Sequence, residues 1–275
     1  MLELNHGFRA VDVHARLEPD ERAVAAQGRD VSPERLEREM HQSGLVRAVV
    51  SAGPREGPAD YLRANNAVAR LSVDRPLVAV ARISGPRDPT GTPVARLRNL
   101  AASPSEHHTT VRDVERYGYD DRFHGFVLDP ATDGLPETDV LEKLDDVAAP
   151  VFVHAGRGFP PAAVAETLLR YDFPVVLRSF GGHPLDRELM LVALDLLSDH
   201  DRLYLDTSAV RYRGVLEQGL LEHPDRVLFG SGAPDVHPDV AVMELLTLDV
   251  PEDAMRKAFS KNPARVVPAL SGSEE

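Results

Sequence analysis

Short apolar segments recur along this chain with amphipathic segments between them, and that alternation limits the folds open to it. The apolar runs are VDVHAR (11–16), VRAVVSAG (46–53), LVAVARI (77–83), HGFVLDP (124–130), PVFVHAG (150–156), PVVLRSFGG (174–182), LYLDTS (203–208) and RVLFGSGAP (226–234). Several are near-continuous in Val, Leu and Ala, the pattern of strands covered on both faces in a parallel sheet. Between them, ADYLRANNAVARL, TDVLEKLDDVA, PAAVAETLLRYD, DRELMLVALDLLSDH and DVAVMELLTL space apolar residues at three and four, as helices do. SPERLEREMHQSG (32–44) adds Ser32 as an N-cap, Pro33 at the first helical position and Gly44 past the end. Eight strand–helix units in a chain of 275 residues predict an α/β fold, a (β/α)8 TIM-type barrel, as one domain over residues 1–268. A disordered tail is expected at 269–275. A doubly wound open sheet is the alternative, but no Gly-rich phosphate turn follows the first strand. The least regular stretch, 84–123, is long for a connection and is read as a lid or binding loop.

Composition removes several classes of function. With no cysteine there are no disulfides, thiolate metal sites or cysteine nucleophiles. The formal charge of −13 comes without any Lys/Arg cluster, which argues against nucleic acid as a partner. Apart from Lys143, Lys257 and Lys261, the basic residues are all arginine. No apolar run is long enough to cross a membrane. The start, MLELNHGFRAVDVHAR, has no charged-then-apolar signal pattern, so a cytoplasmic location is expected.

In barrels of this kind, chemistry belongs to the C-terminal ends of the strands. Those ends carry His14 and Arg16 on the first strand, Asp129 on the fourth, His154 on the fifth, and Arg178, Ser179 and His183 on the sixth. The seventh adds Asp206 and Ser208, and the eighth Ser231, Asp235 and His237. So many ionisable groups on apolar strands point to a functional pocket.

VDVHAR, PVFVHAG, the GG turn after the sixth strand, RLYLDTSAV, DRVLFGSGAP and the closing KNPARVV together resemble the amidohydrolase-related family. This is the branch of the amidohydrolase superfamily that includes aminocarboxymuconate semialdehyde decarboxylase and related hydrolases. The likeness runs in register from about residue 9 to 268 and is densest after residue 120. It implies a divalent metal, commonly zinc, held by His-x-His on strand one, a histidine on strand five and an aspartate on strand eight. An acid–base histidine before the strand-six turn completes the pattern. This chain keeps His14 and His154 but has Arg16, Ser179 and Gly232 where the other three residues are expected. A catalytic zinc ordinarily has three protein ligands plus water, so the resemblance leaves His14 and His154 as the ligands if a metal binds, and none is expected otherwise.

The residues themselves leave further choices open. His14 and His154 are candidate general bases, because imidazole titrates near neutral pH, and Asp206 is a third candidate catalytic residue. Arg16 either binds a substrate carboxylate or plugs the old metal position by pairing with Asp129 or Asp206. Asp129, Ser179, Asp235 and His237 are candidate substrate contacts. Arg178 is expected to point away from Ser179, since strand neighbours alternate faces. His107 and His108 are read as a polar loop, and His183 as part of a turn. No GxSxG elbow surrounds Ser179, so no serine hydrolase is inferred. The expectation is a hydrolase acting on a C–O or C–N bond of a small anionic substrate without the usual metal. A non-catalytic barrel that binds a ligand or partner is one alternative, and a metal-dependent hydrolase or decarboxylase with substitute ligands is another. A homo-oligomer is left open.

Overall fold

The structure is a computed structural model that describes residues 7, 9–18, 32–55, 61–90, 92–101 and 104–271. Eight strands form one sheet in chain order: β1 (Ala10–Leu17), β2 (Leu45–Ala52), β3 (Leu77–Ile83), β4 (Phe123–Leu128), β5 (Val151–Val153), β6 (Val175–Leu177), β7 (Leu203–Asp206) and β8 (Val227–Leu228). Every neighbouring pair is parallel. The segment after β8 closes the ring onto β1, through Val13 N to Phe229 O (3.0 Å), Gly232 N to His14 O (2.9 Å) and Arg16 N to Ala233 O (2.9 Å). The fold is thus the expected (β/α)8 barrel, and the open-sheet alternative is excluded.

From β4 onward the apolar runs are longer than the strands, because their last residues leave the ladder and enter the loops at the C-terminal ends of the strands. Around the sheet lie α1 (Pro33–Gln42), α2 (Tyr61–Ser72), α3 (Pro93–Ala101), α4 (Val111–Gly118), α5 (Thr138–Val147), α6 (Pro161–Thr167), α7 (Arg187–Leu196), α8 (Arg213–Glu222) and α9 (Pro238–Leu246). α1 starts as its sequence dictates: the Ser32 side chain accepts from Arg35 N, and Pro33 opens the helix. The 84–123 connection contains α3 and α4, the latter held by a Thr110–Asp113 capping box.

Alternate strand residues divide into two apolar layers. Val13, Val49, Val80, Val127, Phe152, Val176 and Leu228 fill the barrel interior, where Val266, Val267 and Leu270 of the closing segment join them. The intervening residues, such as Val151, Val153, Val175, Leu177, Leu203 and Leu205, face the helices. Leu270 is fully buried, so order runs past the expected start of the tail at 269; residues 272–275 lie outside the described residues. Residues 269 and 270 therefore belong to the barrel, because the interior needs their apolar surface to cover its floor.

Candidate active site

The inward parity of each strand delivers one residue to the barrel mouth. Counting two on from the interior residue gives Arg82 (from Val80), Asp129 (Val127), His154 (Phe152), Arg178 (Val176) and Asp206 (Tyr204). On β1 the ladder shifts register between Asp12 and Ala15. That irregularity resets the alternation, so Ala15 and Leu17 join the outer layer and His14 and Arg16 turn towards the mouth.

His14 is the best-oriented group there. Its Nδ1 lies 2.8 Å from Ser208 Oγ and 3.2 Å from Asp206 Oδ2. The Ser208 hydroxyl donates to Asp206 Oδ1, which also accepts from Ser179 N (2.9 Å) and Ser208 N (3.0 Å). Since Ser208 spends its proton on the carboxylate, its oxygen accepts from His14 Nδ1–H, and that fixes the tautomer: Nε2 carries the lone pair. Burial, and then the Arg178 cation, lower the His14 pKa to about 4 against the opposing pull of Asp206. Burial alone would raise Asp206, but His14, Ser208 and Arg178 outweigh it and hold the carboxyl below its usual range. The pair is therefore a neutral imidazole braced by a carboxylate. Both the hydroxyl and the carboxylate meet the same imidazole nitrogen, so Ser208 is no nucleophile of a serine triad.

His154 faces His14 edge-on, with ring centroids 5.4 Å apart. Its Nε2 accepts from Arg178 Nη1 at 2.7 Å. An arginine has only donors, so the His154 proton is on Nδ1. Burial first, and Arg178 next, push the His154 pKa well below its ordinary value. Arg178 itself, 2% exposed, is lowered by burial to about 10 and stays cationic at neutral pH. Its inward position corrects the expectation that it points away: β6 ends at Leu177, and Ser179 (φ 54°, ψ 40°) and Phe180 (φ 52°, ψ 26°) take left-handed backbone. That turn aims Ser179 N, rather than its side chain, at Asp206. The Ser179 hydroxyl lies 3.3 Å from Ser208 Oγ, behind the dyad instead of against a substrate.

Other expected contacts are committed elsewhere. Arg16 forms a two-pronged pair with Asp235, 3.1 Å on each prong, not with Asp129 or Asp206, because both residues stand on the outer rim. Asp129 accepts from Arg82 Nη2 at 3.0 Å. His237 caps α9, its Nδ1 accepting from Asp239 N. His107 and His108 bond with Ser105 in a loop, as expected. The exposed ring of His183 lies 6.5 Å from that of His154.

The sequence reading passed over Arg82 and Asp12. Arg82 is fully buried and bonds Asp133 Oδ2 (2.7 Å) as well as Asp129. Asp12 accepts from His14 N and Ser231 N, both at 2.9 Å, which ties β1 to the loop after β8. Strand parity identifies Arg82 from the sequence alone; nothing short of the structure identifies the Asp12 partners.

The family model described as Amidohydrolase matches residues 11–269. The chain belongs to the amidohydrolase family. No curated protein sequence matches it. Among solved structures, 5-carboxyvanillate decarboxylase from Sphingomonas paucimobilis superposes at TM-score 0.67 with 16% identity, covering 95% of this chain and 99% of the other. A 2,6-dihydroxybenzoate decarboxylase from Rhizobium gives 0.68 and 15%, over 94% and 98% of the two chains. The 5-carboxyvanillate decarboxylase of Novosphingobium aromaticivorans, complexed with manganese, gives 0.65 and 13%, over 96% and 98%. At these identities the likeness is one of fold.

The residues of this amidohydrolase mouth do not fit such a metal. Among the described residues no group of three or more His, Asp or Glu side chains is gathered to hold one. The His154 Nε2 lone pair is taken by Arg178, which also sets a cation beside the imidazoles. A divalent ion there would have to displace the guanidinium and bear its repulsion.

Proposed function

We propose that this amidohydrolase is a hydrolase of a C–O or C–N bond in a small anionic substrate, working without a catalytic divalent metal. The observation that carries this reading is the fixed tautomer of His14, with Nδ1–H bound to Ser208, Asp206 behind it, and Nε2 left with its lone pair. Nε2 has no partner among the described residues. It takes a proton from water as the water oxygen bonds to a substrate carbonyl carbon. Asp206 stabilises the imidazolium so formed, which then returns the proton to the departing alkoxide or amide nitrogen. The Arg178 cation favours an anion in the same mouth.

Decarboxylation of an aromatic carboxylate is the second reading, favoured by the decarboxylases among the similar structures. Loss of carbon dioxide needs a proton delivered to carbon, however, and both Nε2 atoms here accept rather than donate. A panel of lactones, amides and aromatic carboxylates, followed by product analysis and by carbon dioxide release, separates the two. We expect hydrolysis, with the rate flat around neutral pH, falling as pH drops through about 4, where His14 is protonated, and again as pH rises through about 10, where Arg178 loses its charge. Asp206→Asn should lower kcat by about 10²–10⁴-fold while the fold is kept. Carbon dioxide release with no hydrolysis would overturn the reading. Elemental analysis should show well below one equivalent of zinc, manganese or iron. A stoichiometric metal lost on replacing His14 and His154 with alanine would overturn the metal-free part.

A further inference from the structure

Two arginines lie buried at the same level of the barrel mouth, and their partners differ. Arg82 bonds Asp133 through Nε (2.7 Å) and Asp129 through Nη2 (3.0 Å), with Tyr61 under the guanidinium at 5.4 Å. The Nε–Nη2 side of its fork is therefore filled by carboxylates. Arg178 engages only Nη1, on His154. Among the described residues its buried Nε and Nη2 have no hydrogen-bond partner, and no carboxylate pairs with it. The Phe152 ring, 5.8 Å from Cζ, offers a π-face but no acceptor. Native structures seldom leave buried donors of a cation unsatisfied, and those that do ask for a missing partner.

We infer that the Nε–Nη2 edge of Arg178 is a carboxylate subsite, which holds a planar two-oxygen group of the ligand through two parallel hydrogen bonds. The geometry of the edge suits that group: Nε–H and one Nη2–H point the same way at the spacing of carboxylate oxygens. The Nη1 bond to His154 holds the guanidinium plane, so the fork is set before the ligand arrives. The inference rests on reading the mouth as a ligand pocket but not on which bond is broken there. It further makes the carboxylate an anchor, since a carboxylate carbon resists attack by water and His14 must act on another carbonyl.

Isothermal titration calorimetry of the full chain with acetate and benzoate, against acetamide, benzamide and inorganic phosphate, tests this directly. At least one carboxylate should bind, and its neutral amide should be weaker by about tenfold or more. Arg178→Lys, which keeps the charge but loses the fork, should weaken the carboxylate by a similar factor, and Arg178→Met should abolish binding. Arg16→Gln, on the rim, should leave it within about twofold. If Arg178→Met does not fold, as judged by circular dichroism, the lysine variant and the amide comparison decide. Failure of both carboxylates to bind, equal binding of the amides, unchanged affinity in Arg178→Lys, or tighter binding of phosphate would each overturn the assignment. These readouts need no turnover, so they stand apart from the hydrolase reading, which the substrate panel decides.

Discussion

Asp12 and His14 stand two residues apart on β1, and the same burial pushes them in opposite directions. Burial raises the Asp12 carboxyl from 3.8 to about 7, only partly offset by its bonds from Ser231 and His14 N. Burial and Arg178 lower His14 from 6.5 to about 4. For His14 the unfolded chain binds the extra proton between pH 4 and 6.5, so this residue makes stability rise with pH across that window. For Asp12 the folded chain holds the extra proton between pH 3.8 and 7, so stability falls. The two slopes oppose each other over pH 4 to 6.5. Asp12→Asn, which keeps the shape and the acceptor for His14 N, should remove one of them. Its urea-unfolding free energy should then rise with pH by about 3 kcal/mol more across the window than that of the parent. His14→Gln should show the mirror image, its stability rising with pH by about 3 kcal/mol less across the window than that of the parent, because the slope from His154 remains. Parallel pH profiles for both variants and the parent would refute the opposed pair. The two charges are differently legible: His14 is plain in VDVHAR, whereas the Asp12 environment depends on Ser231, which lies 219 positions away in the chain.

At the scale of strands and helices, the same alternation that reveals the barrel also reveals most of its mouth. Arg82, His154, Arg178 and Asp206 each stand two residues beyond an interior apolar residue, and that count needs no structure. On β6 the same count from Val176 puts Arg178, and not Ser179, on the inward face. The left-handed turn at Ser179 and Phe180 cannot be read from SFGG, since neither residue demands positive φ. The β2–β3 junction shows a second feature hidden from the sequence. Those strands pair only from Ala48–Leu77 to Val50–Ala79, which leaves Arg82 without a β2 partner, although it stays in register with Val127 of β4. Asn65 on α2 fills the gap: Arg82 N donates to its Oδ1 (2.9 Å), and its Nδ2 donates to Arg82 O (2.8 Å). A side-chain amide here replaces a missing strand partner. Asn65→Ala should leave both backbone groups buried and unpaired, at a cost of about 2–4 kcal/mol in urea unfolding. It should also loosen Arg82 from Asp129 and Asp133. Asn65→Asp, which lacks the donor, should recover less than half of that loss. A change below about 0.5 kcal/mol for the alanine variant would mean that water serves the strand equally well.

The whole molecule sets its net charge against its mouth. A formal charge of −13 surrounds an interior where Arg178 is buried with no carboxylate partner among the described residues and Arg16 stands on the rim beside Asp235. Overall architecture and net charge are both legible from the sequence, because periodicity and composition are properties of many residues at once. The sign of the field inside the mouth is not, because it depends on which arginines are already paired. The two fields act over different ranges. At about 0.01 M salt the Debye length is about 30 Å, so the acidic surface repels an approaching anion; at about 0.1 M it shrinks to about 10 Å. A contact with buried Arg178 is screened far less than that surface. The predicted consequence is an unusual salt response for an anionic substrate. From about 10 to about 100 mM sodium chloride, kcat/KM should rise by about two- to fivefold, because screening removes the long-range repulsion and spares the contact. A neutral analogue should show no trend over the same range. Stopped-flow or initial-rate measurements at constant pH would check both. A fall in kcat/KM would instead mean that exposed cations such as Arg16 steer the substrate, since screening weakens attraction by exposed groups first.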